Sequence, residues 1–275
     1  MPTDEVLRAP GESRTGASLV DTHSHLNHPR LLRALPDVLA RARAAGVSAM
    51  IVVGYDLPSS RKAVELAESA ADVWAAVGVH PHDAADVSQD DLSEIRALAR
   101  SERVVAIGET GLDFYRDLSP RPAQEKVFEE HLALGAELGL PVIVHCREAE
   151  EEVLGALESD MPRSPVIWHC FDGTLDHARR ALDLGLFLGF GGRVTYRNAA
   201  HLREAAAVVP ADRMLLETDC PYLAPEPKRG RDNEPANLVV IAEAMAAIRG
   251  EDGSALADAT SANARRVFGL NREQP

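Results

Sequence analysis

The sequence contains only three cysteines, Cys146, Cys170 and Cys220. So small and odd a number in 275 residues excludes the disulfide framework of small secreted domains and favours a reduced, cytoplasmic setting. Each cysteine directly follows a polar residue at a strand end, so strand alternation sends it to the opposite face, beneath the covering helices. We therefore expect three small buried apolar groups rather than metal ligands.

Long apolar runs are absent as well. No segment approaches the roughly 20 residues that a membrane span needs, and residues 1–17 lack the apolar middle of a secretion signal. We expect residues 1–17 to form a flexible N-terminal tail and residues 18–275 to form one folded domain without membrane attachment. The oligomeric state stays open, and a monomer is allowed.

Positive charge is scarce, since 29 Lys and Arg against 43 Asp and Glu give a net charge of −14. Such a surface repels polyanions, which argues against a protein that coats duplex nucleic acid through many basic contacts. An enzyme that acts locally on a phosphodiester is still allowed, because bound divalent cations reverse the field within a cleft.

What the sequence does contain is an alternation of strand-like and helix-like segments along its whole length. Strands are predicted at 19–26, 47–53, 73–79, 104–108, 140–144, 166–168, 186–190 and 214–216. Helices are predicted at 27–45, 57–69 (capped by Ser59 or Ser60), 91–101, 124–138, 148–158, 236–249 and 254–268. About eight βα units in one chain of this length favour a closed TIM (β/α)8 barrel, a single domain, over an open doubly wound sheet. Residues 110–122 are predicted to be an irregular rim or lid, or else a tolerated insertion.

Polar side chains follow the predicted strands at the point where each one ends. Asp21, His23 and His25 alternate onto one face of the first strand, so the two imidazoles converge and Asp21 is placed to orient them as an acceptor. Later strands end in His80, Glu109, His145, His169 and Asp219. In a TIM barrel these carboxyl ends meet at one mouth. A single strand-end histidine is more often structural, but six or seven such residues at one register predict a metal site.

This set exceeds the three protein ligands of one catalytic zinc. Two metal ions that share Glu109 as a bridge would use it fully, with His23, His25 and Asp219 on one ion and His145 and His169 on the other. Paired divalent ions generate a bridging hydroxide near neutral pH and stabilise both the attacking and the leaving oxygen. The residues therefore predict a hydrolase.

Seven motifs in order carry a family resemblance. They are Asp21–Leu26 (DTHSHL), Gly78–His82 (GVHPH), Ile107–Asp113 (IGETGLD), Pro141–Arg147 (PVIVHCR), His169–Gly173 (HCFDG), Leu216–Leu223 (LETDCPYL) and Arg229–Pro235 (RGRDNEP). Together they resemble the successive motifs of the TatD family of metal-dependent deoxyribonucleases, and the resemblance extends from about residue 19 to the helix at 263–268.

The resemblance implies a TIM-barrel hydrolase of the amidohydrolase-like superfamily that cuts DNA phosphodiester bonds with two divalent ions. The implied metal ligands are His23, His25, Glu109, His145, His169 and Asp219; the implied catalytic residues are Glu109, Asp219 and His80. Asp219 would act as ligand and base, and His80 would face the substrate and protonate the leaving oxygen. The family implies Mg²⁺, whereas so many imidazoles suit Zn²⁺, Mn²⁺, Ni²⁺ or Fe²⁺ better, so the metal stays open.

The acidic surface disfavours long duplexes, so we expect DNA ends or short single strands as substrate. The side chains expected to contact the substrate are His80, His82, Arg116, Arg147, Lys228, Arg229 and Arg231. Each basic residue can instead be a scattered solvated charge, and Glu217 can support the ligands or be structural. Two alternative functions use the same barrel: a metal-dependent ester or amide hydrolase, such as an aminoacyl-tRNA deacylase, and a catalytically silent binding protein.

Overall fold

The computed structural model describes residues 18–270, so the predicted tail at residues 1–17 lies outside the described part. Eight parallel strands form one sheet in chain order. Strands β1 to β8 are Leu19–Ser24, Val47–Val53, Val73–Val77, Val104–Asp113, Val142–Arg147, Val166–Trp168, Phe187–Phe190 and Met214–Leu216. Helices α1 to α10 are Pro29–Leu32, Leu35–Ala44, Leu57–Ser69, Gln89–Leu98, Arg121–Leu138, Glu150–Ser159, Leu175–Asp183, Ala200–Val208, Leu238–Arg249 and Gly253–Phe268.

The sheet closes just beyond the end of β8. Ser24 forms a parallel bridge with Cys220. The Asp219 N–H donates to the His23 carbonyl at 2.9 Å, and the His25 N–H donates to the Cys220 carbonyl at 2.8 Å. These bonds join the first strand to the last, so the fold is the predicted TIM barrel in one domain.

Alternate residues of every strand fill the barrel interior. This cluster includes Val20, Ile51, Ala76, Ala106, Ile143, Ile167, Phe187 and Leu215, joined by Phe268 from the end of α10. The intervening strand residues pack outward against the helices. Because side chains alternate, His145 follows the interior residue Ile143 by two positions, and His169 follows Ile167 in the same way. Both imidazoles therefore enter the mouth of the barrel.

The predicted loop at 110–122 begins later than expected. Strand β4 continues to Asp113, because its pairing with β5 persists from Thr110 opposite Val144 to Asp113 opposite Arg147. The first four residues of the predicted loop thus belong to the sheet, which fixes the side chain of Asp113 within the barrel mouth.

Two helix predictions were wrong in detail. The helix predicted at 27–45 is two helices, α1 and α2, because Pro29 and Pro36 each occupy the first turn of a separate helix. The cap of α3 is Asp56 rather than Ser59 or Ser60. Its carboxylate accepts from the Ser59 N–H at 2.7 Å, and Ser59 Oγ accepts from the Asp56 N–H at 2.9 Å, which is a reciprocal capping box.

All three cysteines are unpaired. Cys146 and Cys220 are buried as predicted, but Cys170 is only partly buried. The prediction was wrong there because Cys170 has a φ of +46°, which ends the strand alternation after β6 and brings the residue to the wall of the mouth. Among residues 18–270, no helix is long and apolar enough to cross a bilayer.

Candidate active site

A cavity of about 830 Å³ opens at the carboxyl ends of the strands. Its volume falls within the range of about 300–1,000 Å³ that is usual for small-ligand sites. The wall carries many acidic, basic and imidazole side chains: His25, His80, His82, Asp83, Glu109, Asp113, Arg116, His145, Arg147, His169, Asp172, Arg193, Asp219 and Arg229.

Glu109 lies at the centre of the polar cluster, and its two oxygens face different partners. Oε1 lies 2.9 Å from His145 Nδ1 and 2.9 Å from His169 Nε2. Oε2 lies 3.5 Å from His23 Nε2 and 3.7 Å from His25 Nε2. One buried carboxylate is thus shared between two pairs of imidazoles, as a ligand that bridges two cations would be.

Asp219 completes the side of the cluster formed by β1. Its Oδ1 lies 3.3 Å from His25 Nε2 and 3.8 Å from His23 Nε2. Asp219 has a φ of +55°, a conformation that non-glycine residues adopt at a cost and that is frequent at functional sites. The bond from its N–H to the His23 carbonyl fixes this turn, so the closure of the barrel also positions the carboxylate.

The donor atoms fit divalent cations. The groups His23–His25–Asp219 and His23–Glu109–His169 each hold their ligand-type atoms within 4.8 Å of one another. His23 Nε2 and His25 Nε2 are only 3.3 Å apart, and His25 commits Nδ1 to donating to the Val53 carbonyl at 3.1 Å. The Nε2 lone pair of neutral His25 therefore points into the cluster, where a cation is the partner that satisfies it.

Buried carboxylates lie behind two of the imidazoles. Asp113 Oδ2 accepts from His145 Nε2 at 3.2 Å, which leaves Nδ1 of that ring facing Glu109. Glu217 Oε1 accepts from the Cys170 N–H and lies 3.5 Å from His169 Nδ1, which leaves Nε2 facing Glu109. Carboxylates in such positions fix the ring orientation and the tautomer of metal-binding histidines. The position of Glu217 therefore favours support of the His169 ligand over a purely structural role.

Asp21 does not orient the imidazoles as expected. It accepts from the Thr218 N–H at 2.9 Å and from Thr218 Oγ1 at 2.6 Å, and its contact with His23 is only to the backbone N–H, at 3.4 Å. Burial raises the pKa of Asp21 to about 7 despite these bonds. Its function in the fold is to tie β1 to the segment after β8, next to Asp219.

His80 presents a hydrogen-bond donor to the cavity. The His82 N–H donates to His80 Nδ1 at 3.0 Å, so the hydrogen of the neutral ring resides on Nε2, 3.6 Å from Glu109 Oε1. Burial and then the charge of His145 lower the pKa of His80 well below its ordinary value, so the ring is neutral near pH 7. A protonated Nε2 donates rather than ligates, which agrees with a substrate-facing residue.

Asp113 is the site residue that the sequence analysis missed. It is 1% exposed and also accepts from His82 Nε2 at 2.9 Å. Burial opposes its ionisation, but the hydrogen bonds from His145 and His82 outweigh burial and lower the pKa of this carboxyl. The spacing could have indicated Asp113, because Glu109 and Asp113 are four residues apart and share a strand face if β4 continues.

The basic residues predicted to contact substrate divide into two groups. Arg116, Arg147 and Arg229 line the cavity, together with Arg193, which had not been singled out. Lys228 and Arg231 are not part of the wall, and Lys228 Nζ donates to Asn237 Oδ1 at 2.6 Å. That bond holds the Lys228 ammonium against α9, so its predicted phosphate contact has no support.

Three of the cluster imidazoles have raised pKa values. Burial lowers the pKa of His25, His145 and His169, but the carboxylates that they contact outweigh burial and bring each value above the ordinary one. Burial likewise opposes ionisation of Glu109, yet the imidazoles around it hold its pKa well below the usual range. A cation that binds here must therefore displace protons from these rings.

We accordingly expect metal affinity to rise with pH, because a group with a raised pKa keeps its competing proton until the pH passes that pKa. At pH values below the pKa of a ring, metal affinity should rise about tenfold per pH unit for each proton that the ring releases on binding. Calorimetric titration with Mn²⁺ in buffers of different ionisation enthalpy gives the number of protons released. We expect at least one proton for each ion bound. Affinity that is constant from acid to neutral pH would rule this out.

An eight-stranded barrel that gathers imidazoles and carboxylates at the carboxyl ends of its strands defines the class of TIM-barrel metal-dependent hydrolases. The sequence profile of TatD related DNases matches residues 20–269. The chain therefore belongs to the TatD related DNase family.

Individual relatives agree with this assignment. The chain is 45% identical over 254 residues to the 3′-5′ ssDNA/RNA exonuclease TatD of Cronobacter sakazakii, covering 90% of this chain and 94% of that protein. It is 41% identical to the uncharacterized metal-dependent hydrolase YabD of Bacillus subtilis, covering 92% of this chain and 100% of YabD. The crystal structure of YJJV, a TatD homolog from Escherichia coli K12, superposes with a TM-score of 0.87 at 31% identity, covering 92% and 98% of the two chains.

Proposed function

We propose that this protein is an exonuclease that removes nucleotides from the 3′ end of single-stranded DNA or RNA, using two divalent ions. The ions would be held by His23, His25, Glu109, His145, His169 and Asp219. The observation that carries the proposal is the division of Glu109 between two pairs of imidazoles, one oxygen to each. Curated relatives that bear the name 3′-5′ ssDNA/RNA exonuclease support the substrate and the polarity.

When bound, a pair of divalent ions supplies Lewis acidity that stabilises the attacking and leaving oxygens of an in-line displacement. The side chains do the remaining work. Burial opposes ionisation of Asp219, but the hydrogen bond from His25 and the charges of His25, His23 and His169 together lower its pKa. The carboxylate is therefore ionised and able to accept a proton from the attacking water. His80 Nε2–H is directed into the cavity, where it can donate a hydrogen bond to the leaving oxygen; because the ring is neutral, it stabilises that oxygen without protonating it as the resemblance implied.

The rim supports action on strand ends. Arg147 and Arg229 lie on the cavity wall of a chain whose net charge is −14, so the positive charge available to phosphate is local. The relatives' names do not favour an aminoacyl-ester substrate. The histidine-rich set of ligands supports Mn²⁺ or Zn²⁺ over Mg²⁺ as the bound metal.

The three unpaired thiols support a cytoplasmic location.

On single-stranded DNA or RNA labelled at the 5′ end, we expect a ladder of labelled products that become shorter with time as nucleotides are removed from the 3′ end. A blunt duplex should be cut about tenfold more slowly for each terminal pair that must open, because one stacked pair is worth about 1.4 kcal/mol. The aminoacyl ester bond of an aminoacyl-tRNA assayed in parallel should not be hydrolysed to the free amino acid. Absence of nucleotide release with Mg²⁺, Mn²⁺ and Zn²⁺ would overturn the proposal.

A further inference from the structure

Two arginines of the cavity wall are stacked on tyrosines. The Arg147 guanidinium lies 3.9 Å from the centre of the Tyr115 ring, and the Arg229 guanidinium lies 4.3 Å from the centre of the Tyr196 ring. Arg147 stands at the end of β5 and Arg229 follows β8, so the two pairs occupy different sides of the mouth.

Strand geometry places Arg147 beside the metal-binding side chains. Arg147 follows His145 by two residues in β5, so the two side chains share a face. The Phe114 N–H donates to the Arg147 carbonyl at 2.9 Å, which fixes the segment that carries Tyr115 against β5. The position of the tyrosine ring over the guanidinium is therefore set by the end of the sheet rather than by a free loop.

The charge of Arg147 is uncompensated. Within residues 18–270, no carboxylate oxygen lies within 4.0 Å of its guanidinium, whereas surface arginines such as Arg43 and Arg61 form ion pairs at 2.7 Å and 2.5 Å. An aromatic face holds a guanidinium in place without using its N–H groups. Arg147 is thus oriented and keeps its donors for an anion.

Tyr115 is itself 53% exposed, although its ring is large and apolar. Burial in the core therefore does not account for this residue. Its stacking on Arg147 is the contact that gives it a function at the mouth, because an exposed ring that immobilises a flexible cation lowers the entropy lost when the cation binds a ligand.

We propose that Tyr115 is a positioning residue that holds Arg147 as a clamp for a backbone phosphate next to the scissile one. Arg229 is stacked on Tyr196 in the same way but also forms an ion pair with Glu226 at 3.8 Å, so the proposal concerns Arg147 alone. This inference rests on the proposed nuclease function. It identifies how an acidic protein contacts a polyanion: through a guanidinium group pre-oriented at the entrance rather than through a basic surface.

The test is the salt dependence of binding and cleavage for Tyr115→Leu, Tyr115→Phe, Arg147→Gln and the double variant Tyr115→Leu/Arg147→Gln. Binding is followed by the anisotropy of a short fluorescent oligothymidylate with phosphorothioate linkages. Arg163→Gln is the matched control, because Arg163 is exposed and precedes β6 at the opposite end of the barrel.

Arg147→Gln should weaken binding by about tenfold and reduce the slope of log affinity against log salt by about 0.7, the value for one lost phosphate contact on a single strand. Tyr115→Leu should raise KM by about two- to fivefold with little change in kcat. Tyr115→Phe keeps the aromatic ring and should therefore have the KM of the wild type. In the Arg147→Gln background, Tyr115→Leu should have no further effect, since it acts through the arginine.

Either of two results for the cavity variants overturns the inference while leaving the nuclease proposal intact: a wild-type salt slope in Arg147→Gln, or additive effects in the double variant, which would mean that Tyr115 contacts the strand itself. A reduced slope in Arg163→Gln equal to that of Arg147→Gln would also overturn it. Wild-type protein that neither binds nor cleaves the strand would instead refute the proposed function.

Discussion

Replacing Glu109 by alanine is expected to reduce kcat/KM on single-stranded DNA by at least about 10³-fold, which is abolition in most assays. The reason is that both oxygens of this carboxylate are in use, one facing His145 and His169 and the other facing His23 and His25. Its removal takes the shared ligand from both halves of the cluster at once. The isosteric Glu109→Gln should lose nearly as much, because charge rather than shape is required.

The barrel itself should survive the Glu109 substitutions, because the interior cluster of apolar residues holds the strands together. Wild-type Tm should rise with Mn²⁺ by mass action, and that rise should shrink or vanish in both variants. Cys146→Ala serves as the control: it should lose some stability as a buried thiol is truncated, and retain turnover. Turnover by Glu109→Ala equal to that of the wild type would contradict the bridging role.

Asp113→Asn should lower metal affinity and activity by about 10- to 100-fold, the usual effect of removing a carboxylate behind a metal-binding histidine. Asp113 accepts from His145 Nε2, so the lone pair of the neutral ring stays on Nδ1, which faces Glu109. An asparagine at this position can turn its NH₂ toward His145 Nε2. It would then favour the tautomer with the hydrogen on Nδ1, the nitrogen whose lone pair the cation needs.

Titration of Asp113→Asn with Mn²⁺ measures this effect directly, apart from turnover. Asp83→Asn is a matched control, because Asp83 lines the same cavity and, among residues 18–270, accepts no hydrogen bond from an imidazole. We expect it to keep wild-type metal affinity. Unchanged affinity in Asp113→Asn would show that the orientation of His145 does not depend on this carboxylate.

Much of the architecture could be predicted from local patterns. Strands such as Val47–Val53 are near-continuous apolar runs, as expected for strands buried on both faces, and helices alternate with them along the chain. Polar residues at strand ends then meet by geometry alone, since parallel strands in a barrel end at one mouth. This reasoning holds for His145 and His169, which each come directly after a short apolar run.

Features set by partners distant in sequence could not be predicted in the same way. Asp21 bonds Thr218, 197 residues away, and no local pattern indicates that pairing. The pairing of β1 with β2 shifts register between Asp21 and Ser24, so simple alternation does not fix which way each β1 side chain turns. Asp113 was missed because two glycines within residues 108–111 made the end of β4 read as a loop.

Anomalous diffraction from crystals soaked in Mn²⁺ would show whether one cavity holds a pair of cations on either side of Glu109. We expect two peaks roughly 3.5–4 Å apart, one among His23, His25 and Asp219 and the other beside His145 and His169, with Glu109 between them. A single peak that does not touch Glu109, or peaks only outside the cavity, would contradict it.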